Sequence, residues 1–153
     1  MGIVDALAPG PVAIDTALFI YFIEEDPRFI GVVDALFRAI DAGALRAVTS
    51  AVTLLECLVV PYRTKNRRLA QRYEALLTGS RGLLLVDLDR ALVRTAAELR
   101  ATFGLKTPDA LQIAAALRVE ATAFVTSDRR LPAVPGLEIV QLASLPAEGP
   151  GRL

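Results

Sequence analysis

Residues 12–20 read VAIDTALFI, in which three apolar residues and an acid precede apolar residues at helical spacing. This pattern predicts a short buried strand over residues 12–15 that leads directly into a helix beginning at Thr16. The same succession of a short apolar strand and an amphipathic helix recurs along the chain. Such an alternation is typical of an α/β fold in which helices cover both faces of a parallel sheet.

The remaining elements follow from apolar runs and from the residues that end helices. Further strands are predicted at residues 46–49, 82–86, 123–126 and 137–142. Further helices are predicted at residues 29–42, 51–60, 63–77, 90–103 and 108–119. Pro61 is predicted to stop one of these helices, and Thr107 is predicted to be the N-cap of the last.

Length and composition indicate one globular domain. The chain has 153 residues, of which 54% are apolar, and we expect one domain over residues 1–145 and a disordered tail over residues 146–153. No apolar run approaches the roughly 18 residues that cross a bilayer. The N-terminus lacks the basic start of a signal peptide, which predicts a cytoplasmic protein without membrane contact. With no His and one Cys, imidazole catalysis and the usual zinc sites are excluded.

Four acids interrupt strongly apolar stretches of the chain, namely Asp15, Glu56, Asp109 and Asp128. An ionised carboxylate is unfavourable in apolar surroundings unless a cation or hydrogen-bond donors meet it. Asp15 ends the first predicted strand, and Asp128 lies two residues past the fourth. Because ligands of parallel sheets collect beyond the carboxyl ends of the strands, these two carboxylates meet there if the strands are neighbours.

Three of the acids also fit purely structural roles. Asp15 could cap the helix that follows it, Asp109 could be a first-turn acid that suits the helix dipole, and Asp128 could be a turn residue. Glu56 lacks such an explanation, because the positions three and four residues away on its helix are mostly apolar. Glu56 is therefore the acid that most strongly indicates a functional site.

Convergence of the acids would require a cation. Two carboxylates about 5 Å apart repel each other by roughly 3 kcal/mol at an effective dielectric constant of about 20. A divalent ion relieves this repulsion, and all-oxygen ligands favour Mg²⁺ or Mn²⁺ over zinc. Such a site suits the hydrolysis of phosphodiester bonds by a water that the ion activates. The net charge of zero means that contacts with nucleic acid depend on local clusters of bases.

The stretches VAIDTALFI, TLLECL, LKTPDALQIAAAL and AFVTSDRRL, in this order, resemble the PIN-domain ribonucleases, in particular the VapC-type toxins of bacterial toxin–antitoxin systems. The resemblance spans residues 12–142. It implies a three-layer fold whose five-stranded parallel sheet has the order 3-2-1-4-5. It also implies that Asp15, Glu56, Asp109 and Asp128 bind Mg²⁺ or Mn²⁺, with Asp15 and Asp109 as the most direct ligands. The implied substrate is single-stranded or looped RNA.

The resemblance also implies supporting residues and partners. Thr16 and Thr126 match hydroxyl positions that the family uses to orient ligands or substrate, although a helix cap and an ordinary strand residue explain them equally well. Lys106, Arg129 and Arg130 adjoin the acids in sequence and are candidates to hold the RNA backbone. Such toxins form homodimers and are inhibited by a small antitoxin that inserts a basic side chain into the acidic pocket.

Ala17 bears on the alternative functions. Family members often have Asn or Ser there, so one polar contact of the pocket is missing. A phosphatase of the haloacid dehalogenase type needs a second Asp at this position, and a receiver domain needs an adjacent acidic pair near the first strand. Asp15 stands alone, which argues against both. Two alternatives stay open: a PIN nuclease of RNA processing that has no antitoxin, and a PIN module that binds without cutting.

Overall fold

The structure, a computed structural model, describes residues 2–146 of the chain. Its strands are β1 (Val12–Ile14), β2 (Ala47–Ser50), β3 (Leu83–Val86), β4 (Ala123–Thr126) and β5 (Glu138–Gln141). They form one five-stranded sheet in the order β3-β2-β1-β4-β5, and every neighbouring pair is parallel. The predicted α/β fold and the implied strand order are therefore confirmed.

Helices connect the strands and cover the sheet. They are α1 (Ile3–Leu7), α2 (Thr16–Ile23), α3 (Ile30–Asp41), α4 (Ala51–Arg63), α5 (Arg67–Gly79), α6 (Arg90–Phe103) and α7 (Thr107–Arg118). Helix α1 was not predicted, because its 5 residues are too few to display a helical repeat. Across residues 2–146, no helix has the length and apolar character needed to span a membrane. Most of the tail predicted to be disordered, residues 147–153, lies outside the described residues.

The sheet carries a hydrophobic core on each face. Within β1, Val12 and Ile14 belong to one buried cluster and Ala13 to the other, because successive strand residues point to opposite faces. Helices α1 to α5 complete the first cluster, and α6 and α7 complete the second. Every residue of β1 and β4 is buried. Burial on both faces explains why these strands read as nearly continuous apolar runs.

The break between α4 and α5 differs from the prediction. Pro61 does not stop α4, which continues through it with the proline ring buried. Proline removes only one backbone donor, and the Thr64 N–H still donates to the carbonyl oxygen of Val60 at 2.9 Å. The chain instead turns at Lys65, whose φ is +55°, and Asn66 then caps α5. The predicted helices at residues 51–60 and 63–77 therefore have the wrong boundary.

The start of α7 also differs from the prediction. Lys106 is the N-cap, and Thr107 is already the first helical residue. The Thr107 hydroxyl accepts a hydrogen bond from Nη1 of Arg100 at 2.9 Å, so α6 engages the side chain that was expected to cap α7. Pro108 and Asp109 fall in the first turn, as predicted.

Candidate active site

The acids gather around the carboxyl ends of the central strands. Asp15 follows β1, and Asp128 comes two residues after β4. These strands are neighbours, and the Asp15 N–H donates to the carbonyl oxygen of Val125 at 3.0 Å. Glu56 lies on α4, which follows β2 directly, and Asp109 lies in the first turn of α7, which packs against β1, β2 and β4.

Asp15 is held through both of its carboxylate oxygens. Oδ1 accepts the backbone N–H of Thr16 at 2.9 Å, and Oδ2 accepts the hydroxyl of Thr126 at 2.7 Å. Burial raises the pKa of Asp15 above its ordinary value, the two hydrogen bonds lower this pKa, and the charges of Asp109 and Glu56 raise it further. Asp15 is thus both the N-cap of α2 and a half-buried acid close to two others.

Glu56 is joined to Asp15 through Thr16. The Thr16 hydroxyl donates to Oε1 of Glu56 at 2.6 Å, a length typical of a hydroxyl bound to a carboxylate. The expected apolar surroundings of Glu56 exist on one side only, because Val52 is buried whereas Val59 and Val60 are exposed. Glu56 therefore lies at the border of the buried face of α4, with its carboxylate turned towards the other acids.

Asp109 and Asp128 share a small cavity with two bases. The cavity has a volume of about 150 Å³, and Lys106 and Arg130 also line it. Burial raises the pKa of Asp109, and the charge of Asp128 raises it further, whereas the two bases lower it. The backbone N–H of Arg130 lowers the pKa of Asp128, and its guanidinium lowers it further. Of the three bases proposed to contact RNA, Arg129 alone is not part of this cavity lining, and it is exposed.

The donor set fits a hard cation that keeps part of its water shell. Electrostatic contacts link the acids in pairs: Asp15 with Glu56, Asp15 with Asp109, and Asp109 with Asp128. Within the described residues, no three acidic or thiol side chains are grouped closely enough to form a metal site on their own. Mg²⁺ is commonly held by one or two carboxylates and retains several waters, so this pairwise arrangement suits it better than a closed cage would.

A set of buried polar side chains that was not predicted from the sequence lies behind the acids. Gln112 of α7, Thr53 of α4, and Thr49 and Ser50 of β2 are buried, and their hydrogen bonds lead to Thr16. A signal was present in the sequence, because Gln112 interrupts the apolar run LQIAAAL just as the acids interrupt theirs. The signal is weaker than that of the acids, because a neutral amide costs less to bury than a carboxylate.

One protein-family model matches most of the chain. The family model described as the PIN domain matches residues 12–137, which is more than half of the chain and includes all four acids. No curated protein matches the chain at a significant level.

Several solved structures share the fold. VapBC2 from Rickettsia felis bound to a DNA fragment from its promoter has a TM-score of 0.66 at 16% identity, with 85% of this chain and 97% of that chain covered. DNA-bound VapBC from Salmonella typhimurium has a TM-score of 0.61 at 20% identity, with coverages of 86% and 97%. A toxin–antitoxin complex from Klebsiella pneumoniae has a TM-score of 0.58 at 19% identity, with coverages of 82% and 94%. At these identities the likeness shows a common fold.

Proposed function

Because this chain belongs to the PIN-domain family, we propose that it is a metal-dependent endoribonuclease that hydrolyses phosphodiester bonds of RNA. The observation that carries the proposal is the state of Asp15. Its hydrogen bonds come from a backbone N–H and a hydroxyl rather than from a base, while Asp109 and Glu56 add negative charge nearby. A divalent cation is the partner that would neutralise this charge.

In this proposal the four acids share one Mg²⁺ or Mn²⁺ site. Asp15 and Asp109 are the most direct ligands, and Glu56 and Asp128 complete the site directly or through water. When bound, the ion would supply an activated water and positive charge for the transition state of phosphodiester hydrolysis.

The surrounding side chains orient the acids and the substrate. The Thr126 hydroxyl and a backbone N–H fix Asp15, and each of its oxygens keeps a lone pair for a further ligand. In this proposal Lys106 and Arg130, which line the cavity, bind phosphate oxygens of the RNA backbone, and exposed Arg129 is a further contact. Phosphate contacts position a strand without reading its bases, so these residues set the register of the RNA rather than its sequence.

The biological role that we propose is that of the toxin in a toxin–antitoxin pair. The support is the likeness of the fold to VapBC from Rickettsia felis and Salmonella typhimurium. In this role the protein acts on cytoplasmic RNA, forms a homodimer, and is inhibited by a small antitoxin that inserts a basic side chain among the acids. A neighbouring gene for a small DNA-binding protein would favour this role over RNA processing without an antitoxin.

The proposal is tested by replacing Asp15 or Asp109 with Asn. The cleavage rate of each variant should fall by more than roughly 100-fold, because a direct metal ligand is lost. A loss of up to roughly 100-fold is typical when only an outer partner of a metal ligand is removed. The measurement is the cleavage rate of a single-stranded RNA in Mg²⁺ and in Mn²⁺, together with circular dichroism to show that the fold is retained.

Asp41→Asn is the matched control, since Asp41 is an exposed acid at the end of α3. It should cleave RNA at the parental rate. A parental rate in Asp15→Asn or Asp109→Asn would exclude the four-acid mechanism, and a parent that binds RNA without cutting it would favour the binding module. Toxicity on expression that Asp15→Asn relieves would support the toxin role.

A further inference from the structure

A network of buried polar side chains lies directly behind the acidic site. It consists of Thr16, Thr49, Ser50, Thr53 and Gln112, each at most 8% exposed. The network ties β2, α2, α4 and α7 together and reaches the acids through Thr16. Because an unpaired member of such a network would carry the full desolvation penalty, the network specifies one arrangement of its hydrogen bonds.

Ser50 fixes the orientation of the Gln112 amide. The backbone N–H of Ser50 can only donate, and it faces Oε1 of Gln112 at 3.3 Å, as does the Ser50 hydroxyl at 2.9 Å. The amide nitrogen is thereby assigned to the opposite side, where it donates to Oγ1 of Thr53 at 2.6 Å and to Oγ1 of Thr16 at 3.0 Å. Both amide hydrogens are used, one on each threonine.

The directions of the hydroxyl protons follow from the count of donors and acceptors. Thr49 donates to the carbonyl oxygen of Ile14 at 2.9 Å, so the proton between Thr49 and Thr53, 2.7 Å apart, comes from Thr53. Thr53 then has no second proton for Thr16, which lies 3.1 Å away. The Thr16 proton is directed to Oε1 of Glu56, at 2.6 Å.

We propose that Gln112 is a positioning residue of the metal site. Its amide occupies the acceptor sides of Thr16 and Thr53, which leaves Thr16 to donate to Glu56 and holds that carboxylate in place. Without the amide, Thr16 gains Thr53 as an alternative partner, and Glu56 loses the bond that orients it. The inference rests on the proposed metal-dependent function, and it concerns a residue that acts on Glu56 only through Thr16.

The test is the Mn²⁺ affinity of the metal-free protein, measured by isothermal titration calorimetry on the parent and on Gln112→Met. Methionine has a similar volume but no hydrogen-bond donor. The affinity should fall by about tenfold or more, as is typical when a partner of a metal ligand is removed. With a single-stranded RNA as substrate, kcat should fall by a similar factor while KM stays unchanged, because phosphate contacts are made elsewhere.

Substitutions of Thr16 show whether Gln112 acts through it. Thr16→Val should weaken Mn²⁺ binding, and Thr16→Ser, which keeps the hydroxyl, should bind Mn²⁺ like the parent. In the double variant Thr16→Val with Gln112→Met, the second change should add little, because coupled residues are not additive. The proposal would be overturned if the loss of Mn²⁺ affinity in the double variant equalled the product of the two single losses. Parental Mn²⁺ affinity in Gln112→Met would also overturn it.

Ile113→Ala is the structural control, because Ile113 is fully buried beside Gln112 on α7 and belongs to the apolar core that α6 and α7 complete. It should lower Tm at least as much as Gln112→Met and leave Mn²⁺ affinity unchanged. A loss of Mn²⁺ affinity equal to that of Gln112→Met would overturn the proposal.

If Gln112→Met does not fold, Gln112→Asn provides a second variant, because its amide is shorter by one methylene. It should weaken Mn²⁺ binding in the same way. A parent that binds Mn²⁺ without cutting RNA overturns the proposed function while the affinity comparison still decides the role of Gln112. A parent that binds no Mn²⁺ overturns both.

Discussion

At Asp15 the requirements of folding and of metal binding oppose each other. The carboxylate is half-buried near Asp109 and Glu56, and its pKa is raised chiefly by the loss of solvent around it. A raised carboxylate pKa means that the ionised form is less stable in the folded chain than in the unfolded chain. In the metal-free protein at neutral pH, the charge of Asp15 therefore lowers the free energy of unfolding.

We predict that Asp15→Asn is more stable than the metal-free parent. Above the raised pKa the parent carries the full penalty of a partly desolvated charge. As pH falls from there towards the ordinary value of 3.8, this penalty disappears because the folded form takes up the proton. The difference in Tm between variant and parent should therefore be largest near neutral pH and shrink on acidification. Thermal unfolding followed by circular dichroism measures it.

Added Mn²⁺ should reverse this order of stability. Only the parent retains the ligand, and an ion that binds the folded state alone stabilises it. An Asp15→Asn variant that is less stable than the metal-free parent at neutral pH would show that its hydrogen bonds to Thr126 and Thr16 outweigh the cost of burial.

The proximity of the four acids follows from where they interrupt apolar runs, and their roles as metal ligands stay predictions. The four acids stood out because a charge within an apolar run is costly where that run is buried. Gln112 and Thr53 did not, since a neutral polar group can be satisfied by many partners, and the ones it finds here lie on other elements. Their importance depends on the packing of α7 against β2, which no local pattern contains.

At the scale of elements, an ion pair connects the start of α6 with the end of α7. Asp89 is the N-cap of α6 and accepts the backbone N–H of Leu92 at 2.9 Å. Its two oxygens also accept hydrogen bonds from the Arg118 guanidinium at the end of α7, at 2.8 and 2.6 Å. Hydrogen bonds from Arg118 and from Leu92 lower the pKa of Asp89 to about 2.

We predict that stability decreases from the parent to Asp89→Asn and decreases further in Asp89→Ala. Asparagine keeps a capping oxygen and loses the ion pair, whereas alanine loses both. Because the folded pKa is depressed, the contribution of Asp89 is complete above its ordinary value of 3.8 and is lost as pH falls from there to about 2. Urea unfolding at several pH values measures the differences, and salt should reduce the contribution of the exposed ion pair.

Asp87→Ala, a change to an exposed acid outside the helix, provides the comparison and should leave stability nearly unchanged. An Asp89→Ala protein as stable as the Asp87→Ala protein would show that neither the cap nor the ion pair contributes.

Most elements were predictable because apolar runs, caps and breakers act locally. Asp89 and Gly104 bound α6 as their residue types suggest, with Gly104 in the left-handed conformation at a φ of +68°. The errors arose where tertiary contacts decide. Buried Pro61 packs inside α4 instead of ending it, and Thr107 is engaged by Arg100 instead of capping α7.

At the scale of the whole molecule, the order of the strands was not readable from local pattern. Alternating strands and helices predict a parallel sheet but allow several orders. The order 3-2-1-4-5 came from the family resemblance, and the observed pairing of β1 with both β2 and β4 agrees with it. This pairing gathers acids from distant parts of the chain, so the site depends on topology more than on any single motif.

One face of α4 is exposed and apolar. Leu55, Val59 and Tyr62 lie at helical spacing, and Leu55 and Tyr62 are 62% and 64% exposed. Grouped apolar residues on a surface often mark a contact with another protein. This face is our candidate for the interface of the proposed homodimer.

We predict that Tyr62→Ser weakens self-association. Loss of a central interface aromatic typically costs about 2 kcal/mol or more, which is about thirtyfold in Kd. Light scattering over a range of concentrations should show the 16.4 kDa monomer at concentrations where the parent has twice that mass. Val93→Ser on α6 removes an apolar side chain that is 50% exposed and should not change the mass. A Tyr62→Ser protein that associates like the parent would exclude this face as the dimer interface.

The pairing of β1 with β4 also has a consequence for synthesis of the protein. Asp15 and Glu56 are translated well before Asp109 and Asp128, and Asp128 reaches Asp15 only when β4 pairs with β1. A nascent chain that has emerged from the ribosome as far as β3 therefore carries half of the acids and no complete site. In the function proposed above, RNA cleavage would therefore begin only after translation has passed Asp128.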